Sequence, residues 1–121
     1  LTTQNTFDFY SGGFPGPFFR VQLIDHFLCC EETDEKNAFT SYSVNVLNNA
    51  AWNEMIAYLE TRKWKGDYNL IGSVDGTQWE LHINLSNIHL KASGSNKFPP
   101  GYFKFMKLLN KIFEEVGVVV C

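Results

Sequence analysis

The sequence is poor in cysteine, in histidine and in net charge, and it has no long apolar run. Its three cysteines are Cys29, Cys30 and Cys121. Neighbouring residues of a strand point to opposite faces, so Cys29 and Cys30 are badly placed to bridge each other, and three thiols do not all pair internally. With no Cys-x-x-Cys present either, a disulfide framework is excluded and a reducing, cytoplasmic setting is expected. No apolar stretch approaches the ~20 residues of a membrane span, so no membrane partner is expected. The chain begins at Leu1, which leaves open a segment removed upstream. The net charge is −3, which disfavours a nucleic-acid partner because phosphates demand a basic face.

Signatures of chemistry are also missing. There is no Gly-x-Ser-x-Gly elbow. The stretch Ser11-Gly12-Gly13-Phe14-Pro15-Gly16-Pro17 lacks the Lys-Ser/Thr of a phosphate loop, and its two prolines remove backbone donors. Asp8, Asp25, Asp75 and Glu80 show no spacing that marks a glycosidase pair. No cofactor is implied.

What is present suits one folded unit. A chain of 121 residues has the size of a single domain, and we expect residues 1–121 to form one. Apolar residues make up 45%, with eleven Phe, five Tyr and three Trp, which bury large areas per side chain. Charge is uneven: residues 1–60 hold eight acids and two bases, residues 61–121 five acids and eight bases. Two solvated regions of different sign account for this. An acidic docking surface in the first half is the functional alternative.

Periodicity places the elements. Residues 7–10 read as a short strand and 11–17 as a turn cluster. Residues 18–30 read as strand, with Phe19, Val21 and Leu23 on one side and Phe18, Arg20, Gln22 and Ile24 on the other. A polar loop at 31–37 joins it to a strand at 39–46. Trp52, Met55, Ile56 and Leu59 form one stripe of a helix over about 49–62, with Asn48 or Asn49 as its cap. A short strand over 69–73 leads to the turn pair Asp75-Gly76. Trp79–Leu85 and Ile88–Ser93 alternate strictly across a two-residue turn. Leu85 then opposes Ile88, Ile83 opposes Leu90 and Leu81 opposes Ala92, so the apolar faces match without slippage. Tyr102, Phe105, Met106, Leu109, Ile112, Phe113 and Val116 stripe a second helix. Residues 118–121 read as a last strand or a tail. The expected fold is α+β: an antiparallel sheet of about five to six strands with two helices packed on one face.

Three groupings are candidate sites. The acids Glu31, Glu32, Asp34 and Glu35, with Phe14 presented on its loop, would dock a basic protein partner; a solvated loop is the plainer account. Glu80, His82 and His89 share the polar side of the 79–93 hairpin and would line a ligand site, although Lys91 beside them repels a metal ion. Cys29 or Cys30 with His26, His82 or His89 supplies the residue types of a nucleophile and base; an inert strand thiol is the plainer account. Arg62-Lys63-Trp64-Lys65 sets an aromatic among bases, which a helix C-terminus explains by its dipole.

Trp64-x-x-x-Tyr68, Asp75-Gly76-Thr77-Gln78-Trp79 and Gly94-Ser95-Asn96-Lys97-Phe98-Pro99 together resemble a family of small bacterial domains of unknown function. Those domains carry an Asp-Gly-x-x-Trp hairpin and a Gly-x-Asn-x-x-Pro entry into the last helix. Ser11-Gly12-Gly13-Phe14-x-Gly16 is similar to their N-terminal hairpin. The resemblance brings no catalytic residue. Because domains of this general type include toxin-immunity and inhibitor proteins, it implies a non-enzymatic protein-binding role. A small-ligand module or enzyme on the polar hairpin face is the alternative.

Overall fold

The two central strands come from distant parts of the chain. In the computed structural model, which describes residues 5–14, 18–33, 38–62, 64, 66–69, 76–86 and 88–114, β1 (Thr6–Phe14) pairs antiparallel with β6 (Gly76–Leu85) along its whole length. On one side of this pair β2 (Phe18–Ile24), β3 (Phe27–Thr33) and β4 (Phe39–Asn45) follow as a meander. On the other side lie β7 (Ile88–Ser95) and the three-residue β5 (Asp67–Asn69). Among the described residues the sheet order is β4-β3-β2-β1-β6-β7-β5. The fold is thus α+β, with six antiparallel strands and one short parallel strand at the edge.

The β6–β7 register is the expected one, with Leu81 opposite Ala92, Ile83 opposite Leu90 and Leu85 opposite Ile88. Period-two alternation puts Phe7, Phe9, Val21, Leu28, Cys30, Val44, Trp79, Leu81 and Ile83 on one side of the sheet, all buried. Both helices, α1 (Ala50–Glu60) and α2 (Tyr102–Phe113), cover that side. Trp52 of α1 meets Phe7 edge-on at 5.4 Å, and Phe105 of α2 meets Phe9 at 5.0 Å. Asn49 caps α1, its side chain accepting from Trp52 N at 2.9 Å. The helices run antiparallel: Tyr58 OH donates to Gly101 O at 3.1 Å near one end, and Lys111 Nζ lies 3.0 Å from Glu54 Oε1 near the other.

Several expected boundaries move. The stretch 18–30 is two strands, because Asp25-His26 makes a two-residue turn with Asp25 in the left-handed region at φ 55. The strand that pairs with β4 is therefore β3 alone. Strand β3 runs on through Glu31, Glu32 and Thr33, which are flanked by Arg20–Phe18 and by Ser41–Phe39. Strand β1 continues through Ser11-Gly12-Gly13-Phe14. A Cβ on Gly12 would sit against Phe18 Cβ and 2.9 Å from Tyr10 OH, so glycine there permits the close β1–β2 approach. Of the strand expected over 69–73, Asn69 lies in β5 (Asp67–Asn69); residues 70–73 lie outside the described residues, as do residues 118–121.

The motif residues that carried the resemblance form a clamp. Trp79 Nε1 donates to Lys97 O at 2.9 Å, and Trp64 Nε1 to Pro100 O at 3.0 Å. Asn96 accepts from Thr77 N through its side chain and donates its own N–H to Thr77 O, each at 2.8 Å. The backbone between β7 and α2 is thereby held by two core indoles and by the half-buried Asn96 side chain.

Candidate functional site

Among the described residues no helix or strand covers the side of the sheet away from the helices, and on this open side the strand order assembles the polar residues. One row across it reads Glu31, Arg20, Tyr10, Glu80 and Ser93; the next reads Cys29, Gln22, Asp8, His82 and Lys91. A depression of about 680 Å3 lies here, lined by Asp8, Tyr10, Arg20, Glu80, His82 and Lys91 among others. Arg20 grips Asp8 with two bonds, Nε to Oδ1 at 3.0 Å and Nη2 to Oδ2 at 2.6 Å. The Asp8 carboxylate and, more weakly, those of Glu31 and Glu80 hold the guanidinium above its ordinary value against the cost of burial.

The expected site residues separate into two sets. Glu80 and His82 share the depression, but His89 stands one row beyond it, its Nδ1–H donating to Asn84 Oδ1. Glu31 faces the open side and is exposed, whereas Glu32 is half-buried and points to the helix side. The two acids thus do not form one patch. Asp34 and Glu35 lie outside the described residues. The backbone of Phe14 ends β1 opposite Gly76, and its side chain is outside the described set. Sequence reasoning missed Asp8 and Tyr10 as neighbours of Glu80 and His82. The alternation in both strands was readable, but which strands adjoin was not.

Polar rows are bounded by apolar ends. Phe39 and Phe18 both oppose Thr33 at one end, and Ile24 opposes Phe27 at the other. These four side chains are 38–60% exposed, all on the open side. A second cavity of about 450 Å3 opens beside α1. Leu23, Val46, Trp52, Ile56, Leu85 and Ile88 line it, with Asp25, His26 and Glu60.

Nucleophilic chemistry finds no support in the two described thiols. Burial, then the Glu32 and Glu31 carboxylates, push the Cys30 thiol up from an ordinary 9.0 to about 12. Burial and Glu31 also raise Cys29. Raised thiols are protonated and unreactive at neutral pH. The imidazole of His26 lies against the Phe27 ring at 4.5 Å. Among the described residues, no three His, Cys, Asp or Glu side chains cluster as metal ligands, and no helix is long and apolar enough to cross a membrane. Trp64, the aromatic of the basic motif, is buried.

The Cys30 shift has a measurable consequence. The unfolded thiol ionises first, so this group's stabilisation is complete below pH 9 and declines as pH climbs through the window from 9.0 to about 12. The loss is on the order of a few kcal/mol. Urea unfolding at stepped pH should show a shallower alkaline decline in Cys30→Val than in the parent chain. Native Cys30 should also resist alkylation at pH 8 until the chain unfolds.

No protein-family model matches this chain, and no curated protein matches it in sequence.

Proposed function

We propose that this chain is a non-enzymatic protein-binding domain that receives its partner on the open face of the sheet. One observation carries the reading: Phe18, Ile24, Phe27 and Phe39 stand exposed on that face around a polar centre. Exposed aromatic anchors flanking a polar region supply both binding energy and orientation. The exposed carboxylates Glu31 and Glu80 on the same face suit a basic partner. The inhibitor or immunity character of the role rests on the motif resemblance.

The test is recovery of a specific partner from the source cell on the immobilised chain, compared with Ile24→Ser/Phe27→Ser. Those side chains are 56% and 40% exposed, so the variant should fold. Affinity for the recovered partner should fall at least ~10-fold, as for loss of interface anchors. Equal affinity for the variant removes the open face from the reading. Failure to recover any specific partner removes protein binding.

The depression around His82 favours a second reading, a small polar ligand held by His82, Lys91 and Glu80. Thermal shifts with a panel of amino acids and small acids, abolished in His82→Ala/Lys91→Ala, would support it.

A further inference from the structure

The two edges of the sheet differ in how they are guarded. Strand β5 has only three residues and runs parallel to β7, and a short edge offers little to a passing strand. Strand β4 has seven residues, Phe39-Thr40-Ser41-Tyr42-Ser43-Val44-Asn45. It carries no charge and no proline, and its register with β3 runs without a bulge from Phe27–Asn45 to Thr33–Phe39. Natural sheets usually place at least one such device on an exposed edge. Among the described residues, β3 is the sole strand neighbour of β4.

Alternation decides which backbone groups are on offer. The two-residue turn at Asp25-His26 makes Ile24 and Phe27 a hydrogen-bonded pair, so Phe27, Cys29, Glu31 and Thr33 bond towards β2. Leu28, Cys30 and Glu32 then bond towards Val44, Tyr42 and Thr40. The N–H and C=O groups of Phe39, Ser41 and Ser43 are left facing outward, as is the Asn45 N–H, while Asn45 O accepts a long 3.5 Å bond from Asn49 Nδ2.

We propose that β4 is a self-pairing edge: two copies of the chain join β4 to β4, antiparallel, about a two-fold axis at Tyr42, into one continuous sheet. The central residue of the strand lies on the axis, so all seven residues overlap. Ser41 then opposes Ser43 of the second copy, and Phe39 opposes Asn45. These are the outward-facing residues, so each Ser41–Ser43 pair can exchange two hydrogen bonds, each Phe39–Asn45 pair gains its second only when Asn45 O exchanges its long bond from Asn49 Nδ2, and the alternation of faces is kept across the seam. Charge is compatible. The row through Glu31 meets Ser41, then Ser43, Cys29 and Gln22 of the second copy, so no acid faces an acid. The row through Phe18, Thr33 and Phe39 continues into Asn45, Phe27 and Ile24 of the second copy. The two apolar ends of the open face, separate in one chain, become shared bands in the pair. A closed two-fold contact of this kind is the commonest form of assembly. This inference is independent of what docks on the open face.

The test uses charge at the seam, read by light scattering on a sizing column. The parent chain is expected at twice its 13.9 kDa mass. In Ser41→Lys/Ser43→Lys the two-fold sets lysine against lysine twice. Dimer dissociation should strengthen about 10-fold or more, and the mass should fall to that of one chain. In Ser41→Lys/Ser43→Glu the same axis sets lysine against glutamate, and the dimer should return. Circular dichroism on both variants confirms a retained fold, and the pair that restores the dimer carries the same lysine. A parent chain at single mass throughout a concentration series overturns the proposal, as it would if another stretch of the chain or an extended foreign peptide occupied β4. A dimer indifferent to the paired lysines overturns it too. Equal masses for the two charged variants overturn the Tyr42-centred register.

Discussion

Replacing Trp79 with alanine is expected to remove most of the stability of the fold. The side chain is fully buried. Its ring centroid lies 5.3 Å from that of Tyr102, 6.0 Å from Tyr68 and 6.3 Å from Trp64, so truncation opens a cavity at a junction of sheet, connector and helix. Large-to-small changes of this kind cost about 3–5 kcal/mol. The lost donor adds to this, because Lys97 O loses its bond from Nε1, at about 1–3 kcal/mol if the carbonyl stays buried. The sum is comparable to the ~5–15 kcal/mol by which domains are stable. Urea unfolding followed by near-ultraviolet circular dichroism should show Trp79→Ala largely unfolded without denaturant. Trp79→Phe keeps an aromatic ring, though a smaller one, and loses the donor; it should lose at least about 1–3 kcal/mol but less than Trp79→Ala. A midpoint for Trp79→Ala close to the parent would refute the clamp.

Gly94→Ala should destabilise nearly as much by the opposite route, adding one carbon where none fits. A Cβ at Gly94 would lie 2.5 Å from Tyr68 O and 2.6 Å from Lys97 O, and against Trp79 Nε1. An indole can swing aside, but two carbonyls belonging to different chain segments cannot both retreat without breaking the β5–β7 pairing or the Lys97 bond. Overpacking costs about 1–3 kcal/mol in ordinary cores, and the upper end is expected here. That corresponds to a melting temperature lower by roughly 10–20 °C. Combined with Trp79→Phe, the penalties should add incompletely, because both changes act on the bond to Lys97 O. A melting temperature within ~2 °C of the parent would show that the connector yields freely.

These two residues also show how far the sequence could be read. Asp-Gly-x-x-Trp and Gly-x-Asn-x-x-Pro stood out as a pattern that brought no catalytic residue; the clamp supplies the contacts its Trp79 and Asn96 make. The β6–β7 hairpin was legible because a two-residue turn allowed one register that matched both apolar faces. The turn between β2 and β3 was not legible. It holds neither glycine nor proline, and apolar Ile24 and Phe27 on either side made the segment look continuous, while Asp25 takes the left-handed conformation that aspartate tolerates. Gly12 and Gly13 misled in the other direction, since glycine serves close strand approach as well as turns. The candidate site was half legible. Glu80 and His82 followed from alternation, but Asp8, Tyr10 and Arg20 join them only through the pairing of β1 with β6, and no local signal encodes that.

That central pairing also sets the order in which the fold can arise. Thr6 opposes Asn84 and Phe14 opposes Gly76, so the middle of the sheet closes only after some sixty to eighty intervening residues have been made. The meander from β1 to β4 involves short hairpins and can form early on a ribosome. Until β6 emerges, the inner edge of β1, with Phe7 and Phe9, is exposed. Loop-closure entropy is lost before the long-range contacts form, so β1–β6 docking should dominate the folding barrier.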